Sequence, residues 1–228
     1  MKKFHNKIQS GLLIGVTQLN SPNKNARPVA DDIRLIIVHG ISLPPDLFGG
    51  DWIDDFFLNQ LDPEQHPYFK EICELEVSSH LLIRRDGSVT QYVPFDQRAW
   101  HAGVSYYAGE ENCNDFSIGI ELEGADHIPY TEEQYAELAR CCKALMGIYP
   151  KLSKDTIVGH CDIAPGRKTD PGESFDWEKF KGLLVASWVF AEKGINQQDI
   201  NVSSENDIPI FFQSQSDSSM GFDVFSAS

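Results

Sequence analysis

The sequence predicts an α/β fold of the α+β type, a single domain in which a central mixed β-sheet is flanked by helices. Strand-like and helix-like segments alternate without strict βαβ repetition. Hydrophobic residues make up 41% and aromatic residues 11% of the 228 residues. This composition excludes disorder of the whole chain and collagen-like or coiled-coil designs. A chain of this length can also bury a substantial core.

The first strand and helix of the predicted sheet lie in the first quarter of the chain. Residues 33–40 form a β-branched apolar run that ends at His39 and Gly40, which is typical of a buried strand. A loop with Pro-Pro and Gly-Gly pairs follows. Residues 51–61 then predict a short helix with Asp51 as its N-cap.

A hairpin and a further strand come next. Residues 78–95 predict two antiparallel strands that turn at Asp86 and Gly87. In residues 116–124 apolar side chains alternate with polar ones. Such a strand buries one face and turns Glu121 and Glu123 toward the other face.

Two helices complete the element pattern. Residues 130–150 predict a helix with a capping box at Thr131 and Gln134 and an end at Pro150. Its apolar stripe consists of Tyr135, Leu138, Cys142 and Leu145. A short strand at residues 156–160 follows. One face of a last helix is marked by Trp177, Phe180, Leu184 and Trp188.

The character of the chain changes after Lys193. Residues 194–228 contain no Lys or Arg and are rich in Ser, Gln and Asp. We therefore expect a folded unit over residues 1–193 and an acidic extension over 194–228 that is largely disordered.

Charge and cysteine usage restrict the partners and the compartment. The net charge of −15 repels phosphate backbones, so we expect no nucleic-acid partner. The five cysteines are odd in number and form no CxxC pair, which is typical of reduced thiols in the cytoplasm. The apolar run at residues 12–16 is shorter than the roughly 7–15 residues of a signal-peptide core. No stretch reaches the ~20 apolar residues of a membrane span, so we expect a cytoplasmic protein without a membrane partner.

The segment "GHCDIAPGRKTDPG" at residues 159–172 concentrates charge between glycines and prolines, a composition too broken for a helix or a strand interior. It suits a solvated turn, a cation site or a catalytic loop. His39 and His160 each end an apolar strand, and Asp170 follows ten positions after His160. Two imidazoles and one carboxylate, with a fourth position left to water, are typical of a catalytic zinc centre.

Each of these residues also has a plainer interpretation. A histidine at a strand end is often a structural side chain, and Asp170 before a Pro-Gly pair can be a turn residue. Glu121 and Lys168 can be solvated surface charges. In "AWHAG", Trp100 and His101 suit a substrate groove and a packed core equally well.

Four ordered segments, "IIVHGISLPPDLFGG", "HLLIRRDGSVTQYVPFDQRAWHAGVS", "CNDFSIGIELEG" and "GHCDIAPGRKTDPG", resemble the AmpD-type zinc amidases. These are cytoplasmic 1,6-anhydro-N-acetylmuramyl-L-alanine amidases of peptidoglycan recycling, within the amidase-2 and peptidoglycan-recognition fold. The resemblance covers about residues 12–190.

The resemblance implies one Zn²⁺ per chain, with His39, His160 and Asp170 as its ligands. It also implies that Glu121 is the catalytic glutamate and that Lys168 lies near the reacting carbonyl. The implied reaction is zinc-dependent hydrolysis of the amide between the lactyl group of 1,6-anhydro-N-acetylmuramic acid and L-alanine. The partner would be an anhydromuramyl peptide substrate, and we expect a monomer.

Two other functions are compatible with the same fold. One alternative is a peptidoglycan-fragment binding module of the same fold with weak catalysis, which we would expect to lack a metal ligand or the glutamate. Another is an exported enzyme that acts on intact cell wall.

The chain departs from the family pattern at two places. Where the family commonly has Asn after its first histidine ligand, this chain has Gly40. Where basic residues are expected to meet stem-peptide carboxylates, it has Glu76, Glu110, Glu111 and Asn112.

Deletion of residues 194–228 tests the predicted boundary. We expect the shortened protein to keep its zinc content and its hydrolytic rate, because the extension supplies none of the predicted site residues. Metal analysis and a rate assay on the two purified forms provide the measurement. A large loss of either property would show that the extension is part of the fold.

Overall fold

The computed structural model describes residues 7–192, and their side chains through residue 185. The chain divides into two units, Met1–Lys193 and Gly194–Ser228. The predicted disorder of the acidic extension and the side chain of Trp188 lie outside the described residues. Within the described part, no helix has the length and apolar character needed to cross a membrane.

The described elements are numbered in chain order. The strands are β1 Ile8–Gln9, β2 Leu12–Leu13, β3 Thr17–Gln18, β4 Lys24–Ala26, β5 Leu35–Ile41, β6 Leu81–Ile83, β7 Val89–Gln91, β8 Gln97–Ala99, β9 Tyr106–Tyr107, β10 Glu110–Glu111, β11 Ser117–Glu123 and β12 Ile157–Gly159. The helices are α1 Trp52–Phe57, α2 Phe69–Ile72, α3 Glu132–Met146, α4 His160–Ile163 and α5 Trp177–Glu192. Two short 3-10 helices cover Cys113–Asp115 and Lys154–Thr156.

Six strands form the central sheet in the order β12-β5-β11-β6-β7-β3. All neighbouring pairs are parallel except β6 and β7, which form the hairpin predicted around Asp86 and Gly87. The sheet is therefore mixed, and helices flank it, as the sequence predicts. Three parallel neighbours, β12, β5 and β11, bring their carboxyl ends to one edge of the sheet.

Helices α3 and α5 cover one face of this sheet. Alternate residues of β5 and β11, such as Val38 and Ile120, pack there in the largest apolar cluster. The predicted stripe of α3 is buried in the same cluster, as are Phe180 and Leu184 of α5. The capping box of α3 is confirmed: Oγ1 of Thr131 accepts from the backbone N–H of Gln134, whose side chain accepts in return.

The opposite face of the sheet is also covered, which differs from the sequence prediction for β11. Every residue of β11 is buried, and Glu121 and Glu123 keep 8% and 2% of their surface exposed. On this face Leu35 and Ile37 of β5 pack against Ala102, Phe116 and other residues of the segment between β8 and β11. The alternation of apolar and polar residues correctly predicts the two faces of β11. It does not show that the segment between β8 and β11 covers the face that carries Glu121 and Glu123.

Several predicted element bounds are wrong. The helix predicted to end at Pro150 ends at Met146, and Gly147 is its C-cap. The helix expected over residues 51–61 ends at Phe57, and the side chain of Asp51 makes no capping hydrogen bond. The chain leaves this helix because Asn59 adopts a left-handed φ of 58°. The segment at residues 159–172, predicted to be too broken for a helix, begins with a helical turn, α4. Oδ2 of Asp162, in this turn, accepts from the backbone N–H of the N-cap residue Gly159.

Substitution of Thr131 tests the capping box. Thr131→Ala removes the acceptor for the first turn of α3 and should lower the free energy of unfolding by about 1 kcal/mol. Thr131→Ser keeps the hydroxyl and is the matched control. Urea denaturation of the three proteins measures the difference. Equal midpoints for the Ala variant and the parent would contradict the capping role.

Candidate metal centre and active site

Three neighbouring parallel strands bring the predicted site residues to one edge of the sheet. His39 lies near the end of β5, directly opposite Glu121 in the β5–β11 register. On the other side of β5, Gly159 of β12 pairs with Val38, and His160 follows immediately as the first residue of α4. The parallel register therefore sets the positions of three residues that are far apart in sequence.

Asp170 reaches the same place by a return of the chain. After α4, the backbone carbonyl of Asp170 accepts from the N–H of Cys161 at 3.0 Å, which closes the loop beside His160. Oδ2 of Asp170 lies 3.0 Å from Nδ1 of His160 and 3.2 Å from Nδ1 of His39. The two Nδ1 atoms are 3.0 Å apart. Three potential metal-binding atoms thus converge on one point.

This triangle fits a zinc ion. Zinc bonds of about 2.0–2.1 Å in a tetrahedron give ligand-to-ligand distances of about 3.3 Å, close to the three separations found here. Both histidines are buried, with 1% and 3% exposure, and the Asp170 side chain is 15% exposed. The donor set of two imidazoles and one carboxylate suits zinc and leaves one coordination position open.

The outer nitrogen of each imidazole also has a partner. Nε2 of His160 lies 3.1 Å from the carbonyl oxygen of Ala102, to which a proton on Nε2 can be donated when Nδ1 binds a cation. Nε2 of His39 lies 2.9 Å from Nδ1 of His101. Such outer hydrogen bonds orient histidine ligands in metal sites. From the sequence, His101, like Trp100, suits a substrate groove and a packed core equally well.

Burial and charge set the protonation of these groups. Burial lowers the pKa of His39 to about 4, so its ring is neutral near pH 7. Burial alone would raise the pKa of Asp170, but hydrogen bonds to His160 and His39 outweigh it and hold the pKa well below its usual range. A neutral His39 ring and an ionised Asp170 carboxylate are the forms in which these two groups bind a divalent cation.

Glu121 lies against the same point in a different electrostatic state. Burial, and then the negative charge of Asp170, raise the pKa of its carboxyl group well above the ordinary value. No group among the residues whose side chains are described hydrogen-bonds to its buried Oε2 atom. A buried carboxyl group with a raised pKa and a free oxygen is suited to proton transfer.

All five predicted residues line one cavity. His39, His160, Asp170, Glu121 and Lys168 contribute to its wall together with Trp100, Tyr68 and Leu75. Lys168 is exposed to solvent, whereas the other four are buried or partly buried. The structure therefore brings together the residues that the sequence singled out from distant positions.

The departure at Gly40 has a local explanation. A Cβ atom on Gly40 would lie 2.5 Å from the hydroxyl oxygen of Tyr130, which itself donates to the carbonyl oxygen of Pro171 at 2.8 Å. Pro171 follows Asp170 directly. The Tyr130 hydroxyl group therefore occupies the space that a Cβ atom at position 40 would need. Its hydrogen bond to Pro171 also holds the backbone next to Asp170. This contact between distant residues leaves no signal in the sequence pattern.

With acidic residues and Asn112 at the positions where basic ones are expected, the candidate groups for stem-peptide carboxylates are Arg84, Arg85, Arg98 and Arg167, and all four already have partners within the protein. Arg84 and Arg98 pair with Asp54 and Asp115, and Arg85 donates to the carbonyl oxygen of Pro129. Arg167 donates to the carbonyl oxygen of Val104. Among the described residues that line the cavity there is no arginine.

The comparisons with known proteins agree with this arrangement. The family model for N-acetylmuramoyl-L-alanine amidase (Amidase_2) matches residues 29–173. The 1,6-anhydro-N-acetylmuramyl-L-alanine amidase AmpD of Escherichia coli K12 is 55% identical over 177 residues, or 78% of this chain and 96% of the relative. AmpD of Haemophilus influenzae is 55% identical over 173 residues, or 76% and 94% of the two chains.

Solved structures give the same result. The crystal structure of a selenomethionine AmpD derivative aligns with a TM-score of 0.76 at 54% identity, and it covers 78% of this chain and 99% of that one. The solution structure of Citrobacter freundii AmpD aligns with a TM-score of 0.58 at 54% identity, covering 79% and 96%. The chain belongs to the Amidase_2 family of N-acetylmuramoyl-L-alanine amidases, which confirms the resemblance drawn from the four sequence segments.

The raised pKa of Glu121 makes a prediction about stability. A carboxyl group whose folded-state pKa lies above its unfolded value stabilises the fold below about pH 4.5 and loses that contribution as the pH rises toward the folded-state pKa. In metal-free protein, Glu121→Gln should therefore be more stable than the parent at pH 7.5. The advantage should shrink by up to ~1.4 kcal/mol per unit as the pH falls toward 4.5.

Urea denaturation of chelator-treated parent and variant at pH 4.5, 6 and 7.5 measures this difference. Other titrating groups cancel because they are common to both proteins. A Glu121→Gln variant that is less stable than the parent at pH 7.5 would contradict the raised pKa.

Proposed function

We propose that the protein is a zinc-dependent N-acetylmuramoyl-L-alanine amidase. It hydrolyses the amide bond between the lactyl group of 1,6-anhydro-N-acetylmuramic acid and L-alanine in peptidoglycan fragments, as a step in cell-wall recycling. Support comes from relatives named for this activity that are 55% identical over nearly their full length. The observation that carries the proposal is the convergence of His39, His160 and Asp170 beside the buried Glu121.

The proposed metal ligands are Nδ1 of His39, Nδ1 of His160 and Oδ2 of Asp170. Three protein ligands suit a catalytic rather than a structural zinc ion, because a structural ion is usually closed by four. When bound, zinc supplies a Lewis acid for the amide carbonyl and lowers the pKa of water from 15.7 toward about 7. The chain's own residues then have to move protons and hold the substrate.

Glu121 is the proposed general base and acid. Its carboxylate accepts a proton from the attacking water and then donates it to the departing amide nitrogen, which is a poor leaving group until it is protonated. The raised pKa of Glu121 makes its carboxylate a stronger base toward the attacking water, and the protonated carboxyl group can then give that proton to the amide nitrogen. Oε2 of Glu121, which has no hydrogen-bond partner among the residues whose side chains are described, is available to accept a proton from the attacking water.

Lys168 is the proposed cation beside the reacting carbonyl. It lies two residues before Asp170 and lines the same cavity, so its ammonium group can stabilise the negative charge that develops on the carbonyl oxygen. Its positive charge also lowers the pKa of Glu121, against the larger effect of burial. Together the two residues divide the work between proton transfer and charge stabilisation.

The proposal also includes the cellular compartment, the catalytic unit and the oligomeric state. The five cysteines are free thiols, and such thiols persist in the reducing cytoplasm, where we place the reaction. The catalytic unit is residues 1–193, with one zinc ion per chain. The monomeric state stays a prediction.

Product analysis tests the reaction. Purified protein with anhydromuramyl tripeptide should release free tripeptide and anhydro-N-acetylmuramic acid, which mass spectrometry detects. The counterpart with an ordinary reducing-end muramic acid shows the sugar preference. Chelation should stop release, and added zinc should restore it. Unchanged cleavage after complete metal removal would contradict the proposal, and binding without cleavage would favour the weakly catalytic binding module.

Glu121→Ala isolates the proton-transfer step. The variant should keep its metal content, because Glu121 is not a proposed ligand, and its turnover should fall by at least ~10²-fold. Glu133→Ala, a change on the exposed face of α3, is the control for loss of one carboxylate. Full activity in Glu121→Ala would remove Glu121 from the mechanism.

A further inference from the structure

His101 makes two side-chain contacts that connect the proposed metal centre to β11. Its Nδ1 atom lies 2.9 Å from Nε2 of His39, and the two rings are nearly perpendicular. Its Nε2 atom lies 3.3 Å from Oγ of Ser117, the first residue of β11. A chain of polar groups therefore runs from the strand through His101 to the histidine beside Asp170.

The direction of these hydrogen bonds decides which nitrogen of His39 is free. A neutral imidazole carries its proton on one nitrogen only. If Nε2–H of His39 donates to Nδ1 of His101, then His101 carries its own proton on Nε2 and donates it to the hydroxyl oxygen of Ser117. Nδ1 of His39 then presents a lone pair toward Asp170 and His160, as metal binding requires.

The backbone around His101 is fixed by one side chain. Oδ1 of Asn114 accepts from the N–H groups of His101 and Ala102, at 3.0 and 2.8 Å. The carbonyl oxygen of Ala102 in turn accepts from Nε2 of His160 at 3.1 Å. Two consecutive residues thus supply the outer partner of both proposed histidine ligands.

β11 is shaped to accept the His101 ring. A Cβ atom at Gly119 would lie 2.5 Å from Cγ of His101, so a side chain at that position would displace the ring. Ser117, Gly119 and Glu121 are alternate residues on one face of this strand. Ser117 contacts the His101 ring, Gly119 leaves space for it, and Glu121 is the proposed base.

We propose that His101 is a positioning residue for the metal centre: it holds His39 in the tautomer and orientation in which Nδ1 binds the cation. The inference rests on the proposed zinc function and adds a residue with a defined role to it. The role of His160 is different, because its outer partner is a backbone carbonyl that no side-chain substitution removes.

Two substitutions of nearly equal shape separate the hydrogen bond from the packing. His101→Asn keeps an acceptor, Oδ1, close to the position of Nδ1, whereas His101→Leu fills the same space without one. Loss of an outer partner typically weakens metal binding by about 10–100-fold. We expect that loss in the Leu variant, and a zinc Kd within a few-fold of the parent in the Asn variant.

The zinc Kd of each protein is measured by competition with a chromophoric chelator at pH 7.5. Nitrogen NMR of the zinc-loaded proteins should show the Nε2–H form of His39 in the parent and in His101→Asn, with rapid exchange of that proton in His101→Leu. His66→Asn, a change outside the cavity, is the matched histidine control. Thermal melting of the metal-free variants identifies any that fail to fold. If His101→Leu is one of them, the protonated nitrogen of His39 in zinc-loaded parent, read by NMR, decides the test.

The outcomes separate the two claims. Parent-like zinc binding in a folded His101→Leu variant overturns the positioning role while leaving the zinc site intact. The Nδ1–H form of His39 in zinc-loaded parent overturns the positioning role and also removes Nδ1 of His39 from the proposed ligands. Equal weakening in the Asn and Leu variants also overturns it, since packing alone would then explain the loss. A parent protein that binds no zinc overturns the proposed function itself.

Discussion

The site depends on three electron-rich atoms held within 3.2 Å of one another in a largely buried place. Two imidazole nitrogens and a carboxylate oxygen with facing lone pairs repel each other unless a proton or a cation lies between them. The fold imposes this convergence through the parallel register of β12, β5 and β11 and through the turn that returns Asp170 to His160. A divalent cation is the partner that such a buried arrangement suits best.

The rest of the cavity is organised around that convergence. The same burial that keeps His39 neutral also raises the pKa of Glu121, so one environment prepares both a metal ligand and a proton acceptor. This environment exists because the segment between β8 and β11 covers the second face of the sheet. That segment also supplies Ala102 and His101, the outer partners of the two histidines. Covering the sheet and orienting the site are therefore done by the same residues.

Much of this arrangement could be predicted from the sequence, because it depends on local patterns. Apolar runs ending in His39 and His160 marked strand ends, and the capping box at Thr131 marked the start of α3. The charged segment at residues 159–172 marked the loop that closes the site. The roles of individual residues came from the resemblance of four segments to a known family, since each residue alone had a plainer interpretation.

The remainder depends on contacts between distant segments, which leave no periodic signal. The burial of Glu121, the Tyr130 hydroxyl against Gly40 and the contact of His101 with His39 all arise where loops close over the sheet. The short α4 and the early end of α1 likewise follow from a side-chain cap and a left-handed residue, which composition did not reveal. Sequence patterns therefore indicated where the site lies, and tertiary contacts determined how its groups are tuned.

Anomalous diffraction at the zinc edge, from crystals of zinc-loaded protein, tests the convergence directly. We expect one strong peak about 2.0–2.2 Å from Nδ1 of His39, Nδ1 of His160 and a carboxylate oxygen of Asp170. A well-ordered site with no peak between these three side chains, or a zinc ion bound elsewhere on the chain, would contradict the proposed centre.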